Sequence, residues 1–149
     1  MAAAHKGRFI PKNPAKYIAS NIHNITHRSS WELSLFQLLD NHPMVLGWAS
    51  EAVKIPYKNP LTNKNTLYVP DVFVVYVDRS NIEHKELIEV KPMQEVPGYK
   101  GKVSKLVESR QIVNMMKWKA AVAFCTSRGW KFRVATEADM FAFKGKTRV

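Results

Sequence analysis

From Ser29 onward the apolar residues fall into runs whose period alternates between helical and extended. Trp31, Leu35, Leu38 and Leu39 recur at helical spacing after Ser29 and Ser30, and residues 41–43, ending in Pro43, stop the pattern near Asp40. Residues 44–48 and 52–57 read as short extended pieces, the second with Val53 and Ile55 in alternation, and residues 58–65 read as a loop or hairpin turn. Residues 67–77, rich in Val, Tyr and Phe, are the strongest strand signal. After a turn at 78–81, residues 86–90 are more continuously apolar, which predicts a central strand covered on both faces. A long helix is expected from about 103 to 127, with Val113, Met116, Ala120 and Phe124 on one face and a break near 109–111. Gly129 suits its carboxyl cap, residues 131–135 form a last strand, and Thr136 with Asp139 looks like the start of a short final helix. This order predicts an α/β fold.

Residues 1–24 break the pattern. They are polar and basic, with Pro11 and Pro14 close together, and read as an extended arm preceding a single domain at 25–149. Residues 1–10 lack the apolar stretch of a secretory signal, and no apolar run approaches the roughly 20 residues of a membrane span. A lone cysteine, Cys125, excludes an internal disulfide and a cysteine-based zinc site, and suits a small buried hydrophobe in a reducing compartment. The five histidines show no ligand spacing, and His23 and His27 are expected at the surface.

Charge changes the picture. The 23 Lys and Arg residues against 12 Asp and Glu, a net charge of +11, predict salt-sensitive attraction to a polyanion. Lys100, Lys102, Lys105, Arg110, Lys117 and Lys119 form one basic stretch, relieved mainly by Glu108. Lys6, Arg8, Lys12 and Lys16 form another in the arm.

The acids are concentrated where chemistry is possible. Asp71 follows Pro70 at the head of one strand; Glu89 and Lys91 sit at the end of the next, 18 residues beyond Asp71. Side chains alternate along a strand, so Glu89 and Lys91 share a face while Val90 points away. Were the strands neighbours, Asp71 would lie beside Glu89. Two converging carboxylates form a hard-oxygen site suited to Mg²⁺ or Mn²⁺, and a nearby ammonium can meet charge developing on a phosphate. Glu32 borders the buried face of the first helix and could complete the metal shell. Each piece has a plainer reading: Glu89 and Lys91 as a surface ion pair, Ser29 and Glu32 as a capping box. Together the pieces favour phosphodiester hydrolysis, and the basic stretches then serve as phosphate contacts, with Lys117 and Lys119 nearest the site.

Pro70-Asp71 with Glu89-Val90-Lys91 resembles the PD-(D/E)xK nuclease superfamily. The likeness extends to Pro11-Lys12-Asn13-Pro14, Tyr17, Arg28-Ser29 with Trp31-Glu32, Pro92, Lys117-Trp118 and Gly129-Trp130, which look like the head-completion nucleases of tailed phages. That family is related to the amino-terminal nuclease domain of the TnsA transposition proteins, which often carry Gln where this chain has Glu89. The resemblance implies a restriction-endonuclease-like mixed sheet flanked by helices, and cleavage of double-stranded DNA with Mg²⁺, for which Mn²⁺ would substitute. It makes Asp71, Glu89 and Glu32 the metal ligands and Lys91 the catalytic lysine. It also implies work in the host cytoplasm during phage assembly, beside head, neck or portal proteins, with retention in the particle left open. The rival readings are a head or neck component that binds DNA without cutting, and a basic nucleic-acid-binding module; no RNA-binding signature supports the latter.

Overall fold

A computed structural model describes residues 4–139. Within it the amino-terminal residues, expected to stand off as an arm, are part of the core. Strand β1 (Ala4–Arg8) pairs antiparallel with β2 (Thr26–Ser29), and the Phe9 amide donates to the Ile25 carbonyl at 2.8 Å. Phe9, Tyr17 and Ile25 are buried in one cluster with Phe36 and Trp48. Asp40 fastens the intervening chain: its carboxylate accepts from the amides of Lys12 and Asn13 at 2.8 and 3.1 Å. His27 is also buried, contrary to expectation. Its imidazole lies against Gly7, where a Cβ would come within 3.0 Å of Nε2, a contact tight enough that the ring would have to give by a few tenths of an ångström.

Helix α1 (Ser30–Asn41) begins where Ser29 accepts the Glu32 amide on its hydroxyl, satisfying a donor that every helix start leaves open. Leu35, Phe36 and Leu39 form its buried face. The chain then runs through β3 (Val45–Ser50), a hairpin of β4 (Ile55–Lys58) and β5 (Asn65–Tyr68), then β6 (Val72–Val77) and β7 (Glu83–Val90). Helix α2 (Lys105–Arg128) and β8 (Lys131–Ala135) follow. Four strands make the central sheet in the order β3-β6-β7-β8; the first three are antiparallel neighbours and β8 joins β7 in parallel. The fold is a mixed α/β sheet between helices, and β7 is internal, as its apolar run predicted.

Three expectations about the elements are corrected. The stretch 67–77 is two strands, because Pro70 has no amide to give a ladder; the chain leaves the β4-β5 hairpin at Tyr68 and enters the central sheet at Val72. Helix α2 is unbroken, with the Ser109 hydroxyl donating to the Lys105 carbonyl. Its buried face centres on Asn114, Ala121 and Cys125, with Ala120 and Phe124 only partly covered. Gly129 ends the helix in left-handed conformation at φ 71°, a cheap position for a residue without a side chain. Thr136 donates its amide to Asp139 Oδ2 at 2.8 Å, the expected start of a helical turn, and the rest of that expected helix lies outside the described residues. No helix among the described residues is long and apolar enough to cross a membrane.

Candidate active site

The ladder between β6 and β7 runs to the pair Val72 and Ile88. One residue further out, Asp71 precedes Val72 and Glu89 follows Ile88, so the next rung sets the two acids opposite each other. Alternation puts them on the face of Phe73 and Leu87, the side packed with Ala121 and Cys125 of α2. Val72, Val74, Ile88 and Val90 fill the other face, against α1. The break at Pro70 therefore has a use: it frees Asp71 from regular pairing. Two bonds then hold it, from the Val90 amide to Oδ2 at 2.7 Å and from the Glu51 amide to its carbonyl at 3.0 Å.

Glu89 is almost wholly enclosed. Its Oε1 accepts from the Tyr68 hydroxyl at 2.8 Å, and Oε2 lies 3.5 Å from Lys91 Nζ. Burial raises its pKa, although Lys91, the Tyr68 hydroxyl and Lys117 pull the other way. Asp71 is pushed well above the ordinary carboxylate range, by burial first and then by the negative charges of Glu89 and Glu32. Lys117 is driven down by burial and by Lys91 beside it. Its ammonium lies 5.5 Å from the Tyr68 ring centre and 6.0 Å from that of Tyr57, on the aromatic faces that favour a cation.

A cavity of about 560 Å³ opens over these groups. Glu32, Asp71, Lys91 and Lys117 line it, together with Arg28 and Arg110. Four sequence-predicted residues thus meet in one place, and Glu89 lies just beneath. Glu32 is doubly employed. Its Oε1 accepts from the Arg28 amide at 3.2 Å and Oε2 lies 3.4 Å from the Ser29 hydroxyl, the capping arrangement, while its charge reaches Asp71. It does not close with Asp71 and Glu89 into a three-acid group, which leaves contact with an ion through water as the arrangement its position suits.

The remaining basic candidates lie elsewhere. Lys119, Lys102 and Lys105 are exposed and do not line the cavity; Lys119 is two residues past Lys117, which turns it to another side of α2. Lys16 donates to the His42 carbonyl at 2.7 Å, and Lys12 is tied through its amide to Asp40. Both sit at the carboxyl end of α1, about 15 Å along the helix from Glu32.

Sequence reading missed Tyr68, the donor to Glu89, which was absorbed into a strand that proved to be two. It missed Glu95 as well, a buried acid that pairs with Arg110 at 3.6 Å and whose carbonyl accepts from Asn114 at 3.0 Å. Arg28 appeared only as part of a motif.

The donor set suits a hard divalent ion. Among the described residues no three His, Cys, Asp or Glu side chains form a metal-holding group. Mg²⁺ needs no such group, since it commonly takes one or two protein carboxylates and fills its shell with water and substrate oxygens. Two enclosed acids, both raised by burial and the charge of Glu89 further raising Asp71, are the observation in its favour, because a cation between them relieves burial and repulsion.

The family model of the TnsA-like endonuclease N-terminal domain matches residues 42–137, which span β3 to β8 and include Asp71, Glu89 and Lys91. A protein of Enterobacteria phage T4 named "Head completion nuclease" is 36% identical over 153 residues, covering 95% of this chain and 99% of the relative. No solved structure gives a significant match. On a sheet with paired acids and a lysine at its end, these likenesses converge: the chain belongs to the TnsA-like endonuclease family.

Proposed function

We propose that this protein is a Mg²⁺-dependent deoxyribonuclease that hydrolyses phosphodiester bonds in double-stranded DNA and completes phage heads at the end of packaging. The observation that carries the chemistry is the pairing of Asp71 and Glu89 on adjacent strands, with Lys91 and Lys117 beside them. Its biological setting rests on the name of the phage T4 relative. The same reading puts the protein in the host cytoplasm during assembly, in contact with head, neck or portal proteins.

Asp71 and Glu89 would hold the ion, Mn²⁺ substituting for Mg²⁺, with Glu32 adding negative charge behind Asp71. When bound, such an ion supplies positive charge to the scissile phosphate and eases deprotonation of water. Lys91 extends past Glu89 into the cavity, where its ammonium orients the attacking water or meets charge building on the phosphate. Lys117 adds a second positive charge, anchored over two aromatic rings so that little reorganisation is needed. Tyr68 fixes the rotamer of Glu89 by its hydroxyl bond.

Plasmid cleavage by purified protein tests the proposal. Wild type is expected to cut with Mg²⁺ or Mn²⁺ and to stop on addition of EDTA, while Asp71→Ala and Lys91→Ala lose cleavage and still bind DNA. Equal, metal-independent cutting by wild type and both variants would overturn it.

A further inference from the structure

Arg28 stands at the cavity wall on the last residues of β2, and its partner is not one of the acids of the site. Its guanidinium pairs with Glu51, while the negative charges of Glu32 and Asp71 also reach it. Glu51 is itself unusual. It has φ 52°, the left-handed region, as do Asn63 and Asn81, but those are asparagines, which tolerate that region far better. The strained backbone lets the Glu51 amide donate to the Asp71 carbonyl at 3.0 Å. One residue therefore braces the main chain of Asp71 and holds Arg28 with its side chain.

The pair is open to water, with side chains 54% and 35% exposed for Arg28 and Glu51. Ion pairs so exposed contribute little and exchange readily. A guanidinium presents a planar fork that matches a phosphate at least as well as a carboxylate. Arg28, Lys91 and Lys117 are three of the four cations that line the cavity, the fourth being Arg110, which pairs with Glu95. The two lysines crowd Glu89, whereas Arg28 is paired to a carboxylate that has no part in holding a metal.

We infer that Arg28 binds a DNA phosphate at the mouth of this site, and that Glu51 is a placeholder carboxylate which the phosphate displaces. The inference rests on the nuclease reading for its ligand, but its test reads affinity and needs no cleavage. In free protein, Glu51 keeps the guanidinium extended over the cavity and off the acids beneath. On binding, the Arg28 fork transfers to the phosphate and Glu51 turns to solvent, while its amide stays on Asp71.

Binding of a short fluorescent duplex by the full chain, in EDTA and over a range of salt, decides between this exchange and a merely structural strut. Arg28→Met is expected to weaken binding about 5–10-fold and to flatten the salt dependence by about 0.9 in log–log slope, the loss of one phosphate contact. Glu51→Gln removes the competitor and is expected to tighten binding about 2–5-fold. The double variant should match Arg28→Met. A strut predicts the same sign for both, so weakening by Glu51→Gln, or unchanged affinity in Arg28→Met, overturns the inference. Were Arg28→Met not to fold, the sign for Glu51→Gln alone would decide. Absence of DNA binding by wild type would remove the nuclease reading and this inference together; opposite signs without any cleavage would leave the inference standing and the nuclease reading fallen.

Discussion

Strand β7 buries two glutamates three residues apart, and the protein treats them in opposite ways. Glu86 points to the α1 face, where Arg133 Nε reaches it at 2.7 Å and the Tyr76 hydroxyl at 2.8 Å. That hydroxyl is correspondingly pushed up to about 12, by burial first and then by the glutamate it serves. Glu89 points to the α2 face, where its nearest ammonium is 3.5 Å away and its cross-strand neighbour is another acid. The first charge is compensated within the chain. The second has lysines at its side but shares them with another buried acid beside a cavity. Burial alone thus does not single out a candidate functional acid; the feature that sets Asp71 and Glu89 apart is a second buried acid across the strand.

The largest effect expected from this contrast is on activity. Asp71→Asn or Glu89→Gln should lower kcat/KM on the order of 10³-fold, since each removes charge from the reacting centre. Glu86→Gln should leave the rate of the folded protein near wild type, as measured on the same plasmid substrate. The effect on stability should run the other way. Glu86→Ala leaves the Tyr76 hydroxyl without its acceptor and takes one partner from the half-exposed Arg133, and is expected to cost about 1–3 kcal/mol in denaturant unfolding, whereas metal-free Asp71→Asn should unfold at a higher temperature than metal-free wild type.

Next in size is a pH effect. The folded-state pKa values of Asp71 and Glu89 lie above their unfolded ones. Their contribution to stability is therefore fully present below about pH 4, the ordinary carboxylate value, and is lost as pH rises through the raised folded values. In EDTA, the melting temperature of wild type relative to Asp71→Asn should fall as pH is raised across that window. Mg²⁺ should restore it, and more so at pH 8 than at pH 5, because binding competes with protons for the same oxygens. A wild-type melting temperature that rises relative to Asp71→Asn as pH is raised would contradict the sign.

The smallest expected effect is that of Tyr68→Phe, which keeps the ring under Lys117 and removes only the hydroxyl that orients Glu89. A loss of roughly 3–10-fold in kcat with little change in KM is expected, in line with one ordinary hydrogen bond of about 1 kcal/mol that orients an acid held by other contacts. A rise in KM with kcat unchanged would instead make Tyr68 a substrate contact.

Much of this site was legible because its parts lie on regular elements. Alternation alone put Glu89 and Lys91 on one face, and Pro70 before Asp71 marked a strand head. Helix α1 was readable from its spacing and its cap. What escaped had no periodic signal. Phe9 and Tyr17 lie in a polar, basic stretch with no apolar period, and Ile25 directly follows it, so nothing local said that they would enter the core. The division of residues 67–77 was hidden because both halves are good strand formers, and Tyr68 went with it. The buried face of α2 was placed about one residue early, since Asn114 is polar and its partner, the Glu95 carbonyl, lies 19 residues away in the chain. Glu51 and Arg28, 23 residues apart, are joined only by tertiary structure.

Anomalous diffraction from crystals soaked in Mn²⁺ tests the central claim most directly. A manganese peak in contact with both Asp71 and Glu89, absent from Asp71→Asn crystals grown alike, is the predicted result. No peak there at saturating manganese, or a peak held by other residues alone, would contradict the account.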